Sequence, residues 1–208
     1  MADVDPQETA QRARCRYVGL ESRELPGDSK QSTAGYWVIS FMGREYKVDP
    51  MRHTINVLDN NTTPRAADFM EQLCILAYLI KAQDMPPTNK LTGVGQLAGG
   101  EFFFRGIHEM PTDKIAEAFG KSPQQLCEAG EGLGGRRVQY GDGAIELHLL
   151  PRIPVTIIVW AADEEFPARA SILFDQTAGD HIALDALQAA VNLVVKALIG
   201  KLADHKEK

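Results

Sequence analysis

The chain has 208 residues, of which 44% are apolar and 24% charged, and its formal net charge is −6. These proportions match ordinary globular domains and exclude collagen-like, disulfide-scaffolded and wholly disordered proteins. The longest uninterrupted apolar run, residues 73–80, is far shorter than the ~20 residues that span a bilayer, so no membrane partner is expected.

Charge and the opening residues narrow the partners and the location. Neither half of the chain is basic, so nucleic acid is not an expected partner, because counterion release needs a basic face. The opening residues, MADVDPQETAQRAR, contain no apolar segment typical of a secretory signal, so we expect a cytoplasmic protein. The three cysteines, Cys15, Cys74 and Cys127, are too widely spaced to form a metal-binding pair.

Composition divides the chain into three parts. Residues 1–34 are expected to form an N-terminal helix or arm, over residues 5–18, and a polar linker over residues 22–34. Residues 35–203 are expected to form a single α+β domain, and residues 204–208 a solvated tail.

The domain begins with segments of β character. Residues 36–42 and 44–50 flank Gly43, a pattern that predicts a hairpin, and residues 53–58 suit a third strand.

The clearest helix is predicted over residues 64–83. Thr63 is the expected N-cap, and Pro64 fits the first helical position, where its missing N–H is not needed. The pair Pro86-Pro87 prevents the helix from continuing. Apolar residues surround its second half, so that half is expected to be buried on most sides.

The middle of the chain is rich in glycine and aromatic residues. A glycine-rich loop over residues 91–100 leads to the aromatic run 101–107, which predicts a strand. Two short helices are expected next, over residues 111–120 and 121–130, and the second is expected to stop at Gly130.

The last third alternates strands with tight turns. A hairpin is predicted around the GDG sequence at residues 141–143, with Glu146 and His148 on the polar face of its second strand. Two further strands are expected over residues 155–161 and 168–174.

A C-terminal helix completes the predicted fold. Apolar residues recur at helical spacing over residues 184–202. Strands and helices do not alternate as βαβ units, so we expect an α+β fold. Its mixed or antiparallel sheet has one face covered by the two longer helices, over residues 64–83 and 183–202.

An acidic corner is the first candidate site. Asp163, Glu164 and Glu165 follow a strand directly, and carboxylates in such a cluster suit a hard metal ion or a general base. The alternative is a solvated turn in which the carboxylates cap backbone N–H groups. Trp160, just before the corner, would form one wall of a ligand pocket or belong to the core.

Two histidines form the second candidate site. His108 ends the predicted aromatic strand, and His148 lies on the polar face of a later strand. If these strands were neighbours, both imidazoles would reach one site, where a tetrapyrrole or a corrinoid takes such a histidine as an axial ligand. The alternative for each histidine is a hydrogen-bonded structural role.

Several segments follow one another in a familiar order: LAGGEFFFRGIHEMPTDKIAEAFG, LGG, GDGA, LPRIPVTIIVWAADEEFPARASILFD and the C-terminal helix. This order, over most of residues 60–200, resembles a prokaryotic family of unknown function, DUF3786. The resemblance implies a role in anaerobic bacteria and archaea, near one-carbon, corrinoid or tetrapyrrole metabolism. Some members resemble fusions with a four-cysteine iron–sulfur domain. Three cysteines cannot bind such a cluster within one chain, so this member would meet an iron–sulfur or corrinoid protein in trans or not at all.

Three functions therefore follow from the sequence. The first is a non-catalytic cofactor-binding or accessory domain of anaerobic metabolism, with haem or another tetrapyrrole, or a corrinoid, as its ligand. The second is an enzyme that uses the carboxylates of Asp163 to Glu165 with a metal or a histidine. The third is a protein-interaction module that assembles through its helices, for which a homodimer is the simplest form.

Overall fold

The structure, a computed structural model, describes residues 21–23, 36–58 and 65–206. It combines helices with two antiparallel five-stranded sheets, which confirms the α+β class and shows two sheets where the sequence predicts one. The helix or arm predicted over residues 5–18 lies outside the described residues.

The first sheet, sheet I, is a meander in chain order. Its strands follow one another as β1-β2-β3-β4-β5, and every neighbouring pair is antiparallel. The hairpin around Gly43 and the third strand are confirmed, but Ser22 and Arg23, predicted as linker, pair with β2. The strands are β1 (Glu21–Arg23), β2 (Tyr36–Phe41), β3 (Arg44–Asp49), β4 (Thr54–Leu58) and β5 (Arg65–Ala66).

The first described helix, α1 (Phe69–Lys81), begins five residues later than predicted. The chain before it is still extended, because Arg65 and Ala66 pair with β4. Asp68 is the N-cap residue, and its backbone N–H donates to the Glu71 carboxylate at 2.7 Å, which satisfies one free donor at the start of the helix.

The second sheet, sheet II, has the strand order β6-β10-β9-β8-β7, again with antiparallel neighbours. The hairpin predicted around GDG is confirmed, and the two further predicted strands pair with each other as β9 and β10. The Met42 N–H donates to the Leu149 carbonyl oxygen at 3.0 Å and connects the two sheets. The strands are β6 (Leu91–Thr92), β7 (Arg136–Arg137), β8 (Gly143–Leu150), β9 (Ile153–Trp160) and β10 (Arg169–Asp175).

The strand predicted over residues 101–107 is wrong. This segment forms the short helix α2 (Gly100–Phe103) and a 3₁₀ turn at Gly106–His108. Gly99, with a φ of +77°, turns the chain into α2. Aromatic residues favour strands only where neighbouring strands pack against them, and here Phe102 is 78% exposed.

Two short helices, α3 (Thr112–Phe119) and α4 (Pro123–Glu131), cover the inner face of sheet II. α3 packs on β10, and α4 packs on β8. α4 continues past the predicted stop at Gly130, which is buried where helix and strand approach closely. A Cβ at Gly130 would lie 2.3 Å from Ile145 Cγ1.

The short helix α5 (Ala178–His181) leads into α6 (Leu184–Lys206), which is the core helix. Its predicted apolar stripe is confirmed, since Leu187, Val191 and Leu198 are fully buried. α6 packs against α1, α3, α4 and β8. By length and composition, Leu184–Ala203 could also cross a membrane, a test that core helices pass as well.

Candidate functional site

A polar cavity of about 460 Å³ lies on the outer face of sheet II. The outer face is the one opposite α3 and α4, because Glu146, Pro154 and Thr156 alternate along their strands with the buried core residues. The volume is within the range of small-molecule sites. The lining residues are Asn89, Leu91, Arg136, Arg137, Val138, Gln139, Tyr140, Glu146, Pro154, Thr156 and Asp175.

The centre of the cavity is a row of side chains across four strands. Strand register places Arg136 opposite Glu146, Glu146 opposite Thr156, and Thr156 opposite Leu173. Arg136 Nη2 donates to Glu146 Oε1 at 2.8 Å. The guanidinium has five donors, and this is its one hydrogen bond within the described ranges, so further donors are available to a ligand.

The second arginine is held by the helix layer. Arg137 donates from Nε and Nη2 to the two carboxylate oxygens of Glu131, at 2.7 and 3.0 Å. These hydrogen bonds lower the pKa of the Glu131 carboxyl, so the pair is ionic at neutral pH. Because Arg137 lies opposite the buried Ile145 and its partner Glu131 is on α4, its guanidinium lies on the helix side of β7, and Arg136 supplies the positive charge at this end of the cavity.

The turn after β7 forms one side of the cavity. The Val138 N–H donates to the Ala144 carbonyl oxygen at 3.2 Å, so the chain stays close to β8 as it leaves β7. At Gly141, with a φ of +53°, a Cβ would lie 2.8 Å from Ile158 Cγ2. Glycine therefore lets this turn lie directly on the outer face and positions Gln139 and Tyr140 along the cavity.

The opposite end of the cavity carries a buried carboxylate, Asp175, which is 1% exposed. It accepts hydrogen bonds from the Thr177 N–H at 3.0 Å, the Thr177 hydroxyl at 2.6 Å and the Thr88 hydroxyl at 3.2 Å. Burial raises the pKa of Asp175, but the hydrogen bonds from the two threonines outweigh burial and lower the pKa overall. None of the ion pairs in residues 36–58 and 65–206 includes this carboxylate.

The cavity therefore has the arginine of the Arg136–Glu146 pair at one end and the Asp175 carboxylate at the other. Arg136 on β7 and Asp175 on β10 are three strand spacings apart across the sheet and two residues apart along it, or about 16 Å between backbones. A ligand with an acidic group would bind the arginine end, and a ligand amine, amide or hydroxyl would donate to Asp175. Thr156, Tyr140, Gln139 and Asn89 add hydrogen-bonding groups near these ends.

Two of the residues predicted to bind a cofactor lie on this same face. His148 is opposite Pro154 and two residues beyond Glu146, which places its exposed imidazole at the edge of the cavity. Trp160 ends β9 on the same face, where the Arg169 guanidinium lies 4.6 Å from its ring centroid. Neither side chain is part of the cavity lining.

His108 lies elsewhere. Its segment is a 3₁₀ turn, so the condition under which the two imidazoles would reach one site, neighbouring strands that carry them, is not met. The imidazole stacks on Phe103 at 4.6 Å, and its Nδ1 is 3.0 Å from Gln188 Oε1 on α6. Because α6 is on the inner side of sheet II, His108 and His148 are separated by the sheet.

The acidic corner is a capped turn. The Asp163 carboxylate accepts the backbone N–H groups of Phe166 at 2.7 Å and Glu165 at 2.9 Å. These two bonds lower the pKa of Asp163. Glu164 and Glu165 are exposed, and within the described ranges no group of three histidine, cysteine or acidic residues is placed to hold a metal ion. The metal-binding role of this corner remains a prediction.

Sequence reasoning missed the main residues of the cavity. Arg136, Glu146 and Thr156 are far apart in the chain, but the GDG turn and the strand alternation would have placed the first two opposite each other. No sequence pattern pointed to Asp175, because its hydrogen-bond donor Thr88 is 87 residues away in the chain. The neighbouring pair Arg136-Arg137, on the edge strand of a hairpin, is the clearest clue that the sequence contains.

The fold and the site together define an α+β protein with a ligand-sized, polar cavity on the outer face of an antiparallel sheet. A family model described as "Domain of unknown function (DUF3786)" matches residues 5–197. The chain belongs to this family, which confirms the resemblance found in the sequence. Comparison with curated proteins and with solved structures found no match.

Proposed function

We propose that the protein binds a small organic cofactor with acidic side groups in the cavity on sheet II, as an accessory domain of anaerobic metabolism. The observation that carries the proposal is one cavity with Arg136 at one end and, at the other, the Asp175 carboxylate, which has no ion-pair partner within residues 36–58 and 65–206. Thr177 and Thr88 stabilise the ionised form of Asp175, and a carboxylate has further acceptor positions that a donor group of a ligand can use.

Tetrapyrroles and corrinoids suit these groups. A porphyrin carries peripheral carboxylates, which the free donors of Arg136 can bind, and a corrinoid carries carboxylates or carboxamides that bind the same donors. His148 at the edge of the cavity would supply an axial nitrogen to a metal centre. The partner in this proposal is an iron–sulfur or corrinoid protein that receives the cofactor.

The first test is an absorbance titration of the purified protein with protoporphyrin IX, which has the carboxylates but no metal. An Arg136→Gln variant should bind it about 10- to 100-fold more weakly, because hydrogen bonds to charged groups contribute ~1.5–3 kcal/mol. The matched control is Arg105→Gln, which removes another exposed arginine paired with a glutamate. Equal affinities of the two variants would contradict binding in this cavity.

The second test distinguishes binding of the cofactor's metal by His148 from binding of its acidic groups by Arg136. His148→Gln should weaken haemin binding and change its Soret band, while the affinity for protoporphyrin IX stays the same. His108→Gln is the control, since its imidazole lies on the other side of the sheet. If neither protoporphyrin IX, haemin nor cobalamin binds at 100 µM, the proposed cofactor class is wrong.

A further inference from the structure

The outward face of α1 is apolar along its whole length. Phe69 is 76% exposed and Ile80 73% exposed, with Met70, Leu73 and Leu76 exposed between them. The opposite face of the same helix is also apolar and is buried in the core. A surface helix normally has a polar outward face, so α1 has an apolar surface that its own described fold leaves uncovered.

The exposed residues have the spacing of a helix-packing seam. Phe69, Leu73, Leu76 and Ile80 are four, three and four residues apart, which is the spacing of the a and d positions in a coiled coil. They extend over 12 residues, so the first and last Cα atoms are about 16 Å apart along the helix axis. We call these four residues the α1 stripe. Its shape fits the side of another helix.

The charges at the two ends of the α1 stripe favour a second copy of this chain as its partner. Asp68 precedes the stripe and pairs with Arg65 at 3.2 Å, and Lys81 follows the stripe and donates to the Ile182 carbonyl oxygen at 3.3 Å. Both side chains remain exposed, so each can also meet an opposite charge of a second copy. If a second α1 packs antiparallel, Phe69 meets Ile80, Leu73 meets Leu76, and Asp68 meets Lys81 of the other copy. Each apolar residue then has an apolar partner and each charge an opposite charge. A parallel pair would place the two Lys81 side chains together.

We propose that two copies of this chain form a two-fold symmetric dimer through antiparallel packing of their α1 stripes. This interface is isologous, because the same surface serves both copies. The stripe with Met70 supplies the apolar centre that a specific interface of ~800 Å² per partner requires, and Asp68 and Lys81 form its polar rim. The dimer is independent of the cofactor site, which is on sheet II.

The first test is the mass in solution of the full chain, by light scattering after size exclusion, over 5–100 µM. The wild type should be a dimer, and Ile80→Glu should be a monomer with an unchanged circular dichroism spectrum. The matched control is Ile107→Glu, which changes another isoleucine, 93% exposed and outside the stripe. It should remain a dimer.

The second test fixes the orientation. Single-cysteine additions Phe69→Cys and Ile80→Cys are oxidised separately and as an equal mixture. The antiparallel dimer should give a covalent dimer in the mixture alone. Covalent dimers of each variant by itself would establish a parallel pair and overturn the proposal.

Two other outcomes would also overturn it. A wild-type monomer at 100 µM would mean that another occupant, such as residues 1–20 of the same chain or a different protein, covers the stripe. A dimer that survives Ile80→Glu would place the interface elsewhere on the molecule.

Discussion

Replacement of Asp175 by asparagine tests the electrostatics of the cavity. The carboxylate accepts three hydrogen bonds from Thr177 and Thr88 in a fully buried position. A hydrogen bond to a charged acceptor contributes ~1.5–3 kcal/mol and one to a neutral acceptor ~0.5–1.5 kcal/mol, so three bonds lose about 3 kcal/mol together. We therefore expect Asp175→Asn to lower the free energy of unfolding by about 2–4 kcal/mol at pH 7.

The stability difference between wild type and Asp175→Asn should also depend on pH. The pKa of Asp175 is lowered below its ordinary 3.8, so the unfolded chain binds the proton first. The stabilisation is therefore complete at pH values above that of the unfolded carboxyl, and it is lost as the pH falls through the lower folded value. The difference between wild type and variant should be largest at neutral pH and should shrink below about pH 3.8.

The assay is urea denaturation followed by circular dichroism at pH 7 and pH 3. Asp180→Asn, an exposed aspartate five residues further on, is the matched control and should change stability by less than about 0.5 kcal/mol. A loss for Asp175→Asn no larger than that of the control, or one that does not depend on pH, would refute an ionised, hydrogen-bonded Asp175.

Three further predictions concern the core. Gly130→Ala should destabilise the fold by about 1–3 kcal/mol, because its Cβ would lie 2.3 Å from Ile145. The control Gly200→Ala has open space around it and should stabilise α6 by up to about 1 kcal/mol. Equal urea midpoints of the two variants would disprove this packing. Burial raises the pKa of Cys74 to about 12, so a disulfide reagent at pH 8 should label this thiol after denaturation and not before. Burial, together with the nearby Arg152, lowers the pKa of His181, so the unfolded chain binds a proton there first as the pH falls. The free energy of unfolding should therefore decrease from pH 7.5 to pH 5.5. The same decrease in His181→Asn would contradict this assignment.

Segments with regular apolar spacing were predictable, because the spacing of apolar residues shows which face of a helix or strand is buried. The apolar residues of α6 and the alternating Ile145, Leu147 and Leu149 of β8 each repeat with one regular period. The structure buries them all except Leu184, which is half-buried at the start of α6. The turns that join the last strands were also predictable, since Gly141 supplies the positive φ that the chain needs there.

Segments whose conformation depends on distant partners were not predictable in this way. The aromatic run before His108 has high strand propensity but no neighbouring strand, so Gly99 turns it into a helix. The start of α1 was predicted at Pro64, although the pair Asp68 and Glu71 has the spacing of a capping box. Pairing with β4 keeps the preceding residues extended, and no local pattern reveals that pairing.

The cavity was the least predictable feature. Its two ends come from β7 and β10. These strands do not pair with each other, and no single strand pairs with both of them. Short edge strands such as β6, with two residues, have too few residues for a pattern. The position of His148 on the polar face of β8 was predictable from alternation, but its separation from His108 required the tertiary fold.

The most direct test of the cofactor proposal is a two-dimensional amide NMR titration of the protein with protoporphyrin IX. Binding in the cavity predicts that the signals of Arg136 to Tyr140, Glu146, Thr156 and Asp175 shift together and saturate. Signals around His108 and Gln188, on the inner side of sheet II, should stay unchanged. Saturable shifts confined to that inner side, or no shift at all, would contradict a cofactor site on the outer face.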